Sequence, residues 1–371
     1  MFISCRALFA ALLLTTHMNP ALLFLAGSIA TAFVSSFLVS ACMAKLSDES
    51  LAQDLALIQR AFNTDAMLST TPTQGDVVSY YTRTTDRDYR LLELFVGPGL
   101  HTRLCAAHPI YSHAGNARQV MLVLNAIAGV KKKGGRTKVL EIGFGRGYCT
   151  LMLAGLLLPS DEFEFHGMDI VQRHVDVARA DGAKYPNVFF RHADAALASS
   201  YDDLQQFDVI FAVEALCHIE RMHDFLANAG RHLSPEGRLV IIDGFRSELF
   251  SQSPPDQQLA MRLAERAFGI NRMRPMSEWV EAAFPAGLEL NTQDDLTMQA
   301  LPFWTLGWRF VYALLRHVPG WVMRHCHGTN NLLAVATVAH AMRNRASAVY
   351  GVMVFCRRND NGAAVVVGER F

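Results

Sequence analysis

A chain of 371 residues can bury a large core, roughly one domain of 200–250 residues with additions. Its 34 basic and 34 acidic side chains cancel, so no bulk attraction to nucleic acid is built in. Seven scattered cysteines, odd in number and without C-x-x-C spacing, argue against a disulfide framework or a zinc site and suit a reducing compartment.

Residues 1–45 differ in kind from the rest. Residues 21–43 hold no charged side chain, and about 20 such residues suffice for a helix to cross a bilayer. Three fates stay open: a single transmembrane anchor, a cleaved targeting segment with small residues around Ala41-Cys42-Met43-Ala44, or a lipoprotein-type box at Val39-Ser40-Ala41-Cys42. Arg6 on one side and Lys45 on the other set the orientation poorly. Ser47 before Asp48 and Glu49 is a helix N-cap pattern, predicting a helix to about Met67, and residues 69–75 read as a linker. Residues 80–89, mixing Tyr80, Tyr81 and Tyr89 with charges, read either as a surface helix or as a flap closed by Tyr81 or Tyr89. Residues 120–129 read as a helix, and Lys131-Lys132-Lys133 as a solvated loop.

The chain is organised around residues 138–147. Val139, Leu140 and Ile142 make the apolar run of a buried parallel strand, Glu141 stands near its end, and Gly143, Gly145 and Gly147 lead into a helix over 148–158. Glycines between a strand and a helix bring backbone N–H groups close to a ligand. The spacing is not the G-x-G-x-x-G of dinucleotide sites, because Tyr148 follows Gly147. Glu141-Ile142-Gly143-Phe144-Gly145-Arg146-Gly147 instead resembles the first motif of class I S-adenosylmethionine (SAM)-dependent methyltransferases.

Further segments fit an alternating plan. Residues 162–170 read as a second strand ending in Asp169, whose carboxylate is placed to accept both ribose hydroxyls. A helix over 171–184 follows, then a third strand over 188–192 leading to Ala193-Asp194-Ala195. Asp194 either accepts the adenine amino group or caps the next helix. A fourth strand over 207–213, a helix over 222–233, a turn at 234–237, a fifth strand over 238–243, and strands over 288–297 and 349–357 complete a seven-stranded, mostly parallel, doubly wound α/β sheet. Residues 245–274 and 301–345 interrupt it. The second stretch, rich in tryptophan (Trp304, Trp308, Trp321) and arginine, reads as an interfacial or substrate-capping helix or as a core helix.

Glu214-Ala215-Leu216-Cys217-His218 closes the fourth strand, where open parallel sheets bind ligands. With the earlier motifs it resembles the methyltransferases of sterols and tocopherols, over about residues 80–245. The charged 83–88 stretch departs from that group's aromatic pattern. The resemblance implies a methyl transfer from SAM to a small, lipophilic (sterol-, prenyl- or lipid-like) acceptor. It implies catalytic roles for Glu214 and His218, the latter because imidazole titrates near neutrality. Cys217 reads as packing. Tyr81, Glu141, Gly143, Gly145, Gly147, Asp169, Ile170, Asp194 and Ala195 would hold the cofactor, and no metal or nucleic acid is expected. Four segments follow: the hydrophobic segment 1–45, a helical extension and flap over 46–135, the SAM-binding core over 136–297, and a helical cap with the last strand over 298–371. SAM is made inside cells, so a membrane-anchored domain facing the cytosol or a plastid stroma is expected. The rival functions are methylation of a soluble natural product or amine, and an inactive SAM-binding scaffold.

Overall fold

Strands β1 (Thr137–Ile142), β2 (Phe163–Asp169), β3 (Val188–His192), β4 (Phe207–Val213), β5 (Leu233–Arg246), β6 (Leu288–Asp295) and β7 (Ala348–Arg357) form one sheet in the order β3-β2-β1-β4-β5-β7-β6. They belong to a computed structural model that describes residues 34–84, 101–104, 114–130, 134–157, 161–325 and 329–358. β1 to β5 pair in parallel, while β7 runs antiparallel to both β5 and β6. Residues 234–237, expected as a turn, bulge from β5 between the pairs Phe207↔Leu233 and Val209↔Arg238.

Alternation along each strand builds two apolar layers. Val139, Val209, Phe211, Val240 and Ile242 face one side, where Val120, Leu153, Met261 and Val338 of the helices Ala114–Ala128, Tyr148–Leu157, Pro255–Ala267 and Thr329–Met342 cover them. Leu140, Ile210, Ala212, Leu239 and Ile241 face the other, beneath Phe225 and Trp279 of the helices Met222–His232 and Met276–Ala283. The helix Gln172–Gly182 packs Val175 and Ala178 against Phe144 and Phe190.

The N-terminal extension is two helices where one was expected. Ser47 and Ser50 form a capping box for Asp48–Ala61. Phe62 is then extended, and the Asn63 side chain accepts from Ala66 N at 3.2 Å to cap a second helix, Thr64–Ser69. The first helix docks on the tryptophan-rich helix Thr297–His317 through one buried acid. Asp54 accepts from Trp308 Nε1 at 2.7 Å and Arg316 Nη1 at 2.9 Å, and its other contact is His340 Nε2 at 3.0 Å. Trp308 is fully buried while Phe310 and Trp321 are exposed, so the stretch is core on one face only. None of its residues lines the cavity described below, and the expected helical cap is corrected accordingly.

Of the predicted membrane span, residues 21–33 lie outside the described residues. Residues 34–43 are helical and lie on the chain itself, with Phe37 edge-on to Phe310 at 5.5 Å and Ser36 Oγ 3.0 Å from His317 Nε2. Among the described residues no helix is long and apolar enough to cross a membrane, so the anchor finds no support there. Tyr89 and Lys131-Lys132-Lys133 also lie outside the described residues.

Candidate active site

A cavity of about 560 Å³ opens at the carboxyl ends of β1, β2 and β4, within the 300–1,000 Å³ usual for small-molecule sites. Its first wall is the glycine loop. Gly143, Gly145 and Gly147 all have positive φ (67°, 56° and 84°), which side-chain-bearing residues rarely adopt. A Cβ on Gly143 would also lie 2.4 Å from that of Ala215, which locks the loop against the segment after β4. Gly143 and Gly145 line the cavity; Gly147 does not, and faces Phe190 and Ala178, where a Cβ would sit 3.0 and 3.1 Å away. Its place in the cofactor set is corrected to one of packing.

Asp169 and Ile170 line the next wall. The Asp169 carboxylate is held by two backbone donors, Gly145 N to Oδ2 at 2.9 Å and Val171 N to Oδ1 at 2.8 Å, with His174 Nδ1 3.3 Å from each oxygen. A carboxylate has about four lone-pair positions, so acceptor capacity remains on the cavity side. Asp194 and Ala195 line the cavity as well. Asp194 accepts from Ala196 N at 2.9 Å, as a cap would, and also from Arg221 Nη2 at 2.8 Å and Gln74 Nε2 at 3.1 Å. Gln74 opens the helix Gln74–Thr84, and Gln74, Val77 and Tyr81 of that helix line the cavity.

Glu141 is elsewhere. It is buried, and Oε2 accepts from Thr150 N at 3.0 Å and Thr150 Oγ1 at 2.5 Å, capping the helix that follows the glycine loop. Burial pushes its carboxyl up to about 8. It does not line the cavity, so its part in cofactor binding is corrected from contact to support of the loop.

Glu214 and His218 come together in the third wall. Glu214 is a non-glycine residue at φ 51°, a conformation that persists only where its surroundings enforce it. Three donors do so from distant parts of the chain: Thr102 N at 2.7 Å, Tyr350 Oη at 2.7 Å and Gln119 Nε2 at 3.1 Å, all on Oε1. His218 Nε2 lies 3.0 Å from Tyr81 Oη, and burial lowers its pKa to about 4, so the ring is neutral at pH 7. Behind them Asp243 accepts from Cys217 N at 3.0 Å, and burial raises its carboxyl to about 7. Burial also pushes the Cys217 thiol well up, which suits packing rather than nucleophilic work.

Sequence reasoning missed Gln74, His101, Thr102, Gln119 and Tyr350. No spacing rule joins positions 102, 119, 214 and 350: the strand order β4-β5-β7 brings Tyr350 towards Glu214, the helix Ala114–Ala128 brings Gln119 and the segment 101–104 brings Thr102. The residues that remain fit SAM. Gly145 meets nothing within 4 Å of its Cβ position, leaving room beside a restrained acid, and a fixed carboxylate faces the same space from β4.

Known proteins agree with this architecture. The family described as "Methyltransferase domain" matches residues 139–237. The chain is 29% identical over 174 residues to 27-O-demethylrifamycin SV methyltransferase of Amycolatopsis mediterranei (strain S699), covering 45% of this chain and 60% of that enzyme. It is 30% identical over 100 residues to 24-methylenesterol C-methyltransferase 2 of Oryza sativa subsp. japonica, covering 27% of this chain and 28% of the rice protein. The chain thus spans less than two thirds of either relative. Geranyl diphosphate C-methyltransferase from Streptomyces coelicolor A3(2), solved with S-adenosyl-L-homocysteine, superposes with a TM-score of 0.58 at 17% identity, covering 78% of this chain and 99% of that one, and shares its fold. Residues 139–237 thus match a methyltransferase domain, and the chain shares the fold of a SAM-dependent methyltransferase.

Proposed function

We propose that the protein transfers a methyl group from SAM to a small, lipophilic acceptor. The observation that carries this is one cavity lined both by a restrained acid beside a glycine loop and by a second, fixed carboxylate, Glu214. SAM, when bound, supplies a methyl group on a positively charged sulfur. Gly143, Gly145, Asp169, Ile170, Asp194 and Ala195 would hold it, with Tyr81 closing the wall. Glu214 faces the space left for the acceptor, and its fixed charge favours positive charge developing there without reorganisation. His218 and Tyr81 present a neutral hydrogen-bonding pair to the same space. Val77, Leu151, Met152 and Leu216 give the cavity apolar walls that suit a lipophilic body. Relatives named for a rifamycin, a sterol and geranyl diphosphate support that acceptor class.

Methyl-labelled SAM incubated with the full-length protein and a lipid extract should yield a labelled lipophilic product. Glu214→Gln should bind S-adenosylhomocysteine (SAH) within twofold of wild type yet turn over at least tenfold more slowly. Absence of SAH binding by calorimetry would overturn the cofactor site, and a fully active Glu214→Gln would remove that residue from the mechanism. On this proposal the catalytic domain faces the cytosol or stroma; its protection from protease inside sealed microsomes would refute that placement.

A further inference from the structure

The helix over residues 34–43 turns an apolar face to solvent, the reverse of ordinary helix patterning. Its inner face is Phe37, Ser40 and Ala41, continued by Ala44 just past its end. Phe37 meets Phe310 and His317 edge-on at 5.5 and 6.0 Å, and Ala44 is buried beside Trp308 and Ala339. Its outer face is Val34, Leu38, Val39 and Met43, which are 51, 55, 62 and 72% exposed, with Ser35 and Cys42 between them. No side chain on the helix is charged; the first charge is Lys45, exposed beyond its end.

The apolar surface continues onto the neighbouring helices. Ser36 meets His317, while the Ala44 carbonyl accepts from Arg309 Nε at 3.2 Å, so the helix runs antiparallel to Thr297–His317. Phe310, exposed, stands beside Phe37, and Trp321, 64% exposed, follows His317 on the short helix Gly320–His325. The chain enters at the His317 end from residues 21–33, which hold no charged side chain either.

Size and chemistry decide what covers this face. Ten helical residues span about 15 Å and a helix with its side chains is about 10 Å wide, so the helix offers about 150 Å². A stable protein partner needs about 800 Å² on each side, far more than this face supplies to a second copy. The face also lacks the charges and hydrogen-bonding groups that fix a protein partner in register. A bilayer requires no register, and its interface favours exposed tryptophan. It also takes up the uncharged sequence before residue 34, so the two attachments add.

We infer that the outer face of residues 34–43, with Phe310 and Trp321, lies flat on a lipid bilayer and holds the domain against the membrane surface. The helix does not cross. Its inner face is taken by Thr297–His317, and crossing would drag Arg309 and Arg316 of that helix toward hydrocarbon. Attachment here is independent of the methyl-transfer reading, and a lipophilic acceptor would be met where it is dissolved.

The test is co-sedimentation of the full-length protein with phosphatidylcholine vesicles, using the double variant Leu38→Asp with Val39→Asp. Both side chains are exposed, so the thermal melt should stay close to wild type. Each apolar side chain kept from lipid should weaken binding about tenfold, and the double variant about 100-fold. No binding by wild type, or binding by the variant within about threefold of wild type, would overturn the placement. Vesicles of brominated phosphatidylcholine should quench the tryptophan fluorescence of wild type and do so much less in Trp321→Phe, because Trp279 and Trp308 are buried. Equal quenching in the two would refute the contact at Trp321. Sedimentation equilibrium without vesicles should find a monomer; a dimer that the double variant dissociates would give the face to a second copy and overturn the bilayer.

Discussion

Asp169→Asn isolates the acid of the cofactor cradle with almost no change in volume. In the wild type the carboxylate receives N–H groups from Gly145 at 2.9 Å and Val171 at 2.8 Å. An amide can satisfy one of these donors but sets its own NH2 against the other, at a cost of about 1 kcal/mol. The two ribose hydroxyls proposed for the remaining lone pairs would then bond to a neutral group. Hydrogen bonds to charged groups are worth about 1.5–3 kcal/mol and neutral ones about 0.5–1.5, so each loses about 1 kcal/mol. The donor mismatch is present with and without ligand and falls on stability, so the two weakened ribose bonds, about 2 kcal/mol together, correspond to about 30-fold weaker binding. Isothermal calorimetry with SAH measures this directly and needs no knowledge of the acceptor. A thermal melt close to wild type would show that the fold survives. An SAH dissociation constant within threefold of wild type, with that fold intact, would refute the placement of the nucleoside against Asp169.

Two further outcomes follow from buried acids elsewhere. Burial raises Glu141 from 4.5 to about 8 and Asp243 from 3.8 to about 7, so the folded chain holds protons that the unfolded chain has released. Their contribution to stability is full below the unfolded values and is lost as pH rises through the folded ones. Glu141→Gln keeps an oxygen for Thr150 and no longer titrates, so its melting temperature should fall less than that of wild type between about pH 5 and pH 8. Parallel curves would contradict the burial assigned to Glu141. Asp54→Ala leaves Arg316, Trp308 and His340 without their shared acceptor and should cost about 3 kcal/mol in urea unfolding, as breaking a buried pair does. SAH affinity should not change, because none of the four lines the cavity; a loss under 1 kcal/mol would show the cluster to be dispensable.

How far the sequence could be read depended on how local each signal was. β3 and β4 fall on the expected residues because their apolar runs are short and bounded by breakers or polar residues. The glycine loop was legible because positive φ is a demand made residue by residue. Glu141 was misplaced although alternation pointed the right way. It shares a face with Val139, under the helix Tyr148–Leu157, and so turns from the cavity. The tryptophan-rich stretch showed an apolar face with basic residues between, but composition cannot reveal that Asp54 waits for Arg316. The partners of Glu214 were unreadable for the same reason: Tyr350 stands 136 positions away.

The reversed strand β7 sets a limit on cutting this protein apart. The matched family segment stops at residue 237, yet the phenol that steadies the acceptor-side acid arrives on the last strand of the sheet. A fragment ending soon after β5 would lose that phenol together with the helices Pro255–Ala267, Met276–Ala283 and Thr329–Met342 that cover the sheet, so it should neither fold nor hold the nucleoside. The matched segment is therefore no independent unit: its far edge is closed by the chain's last third.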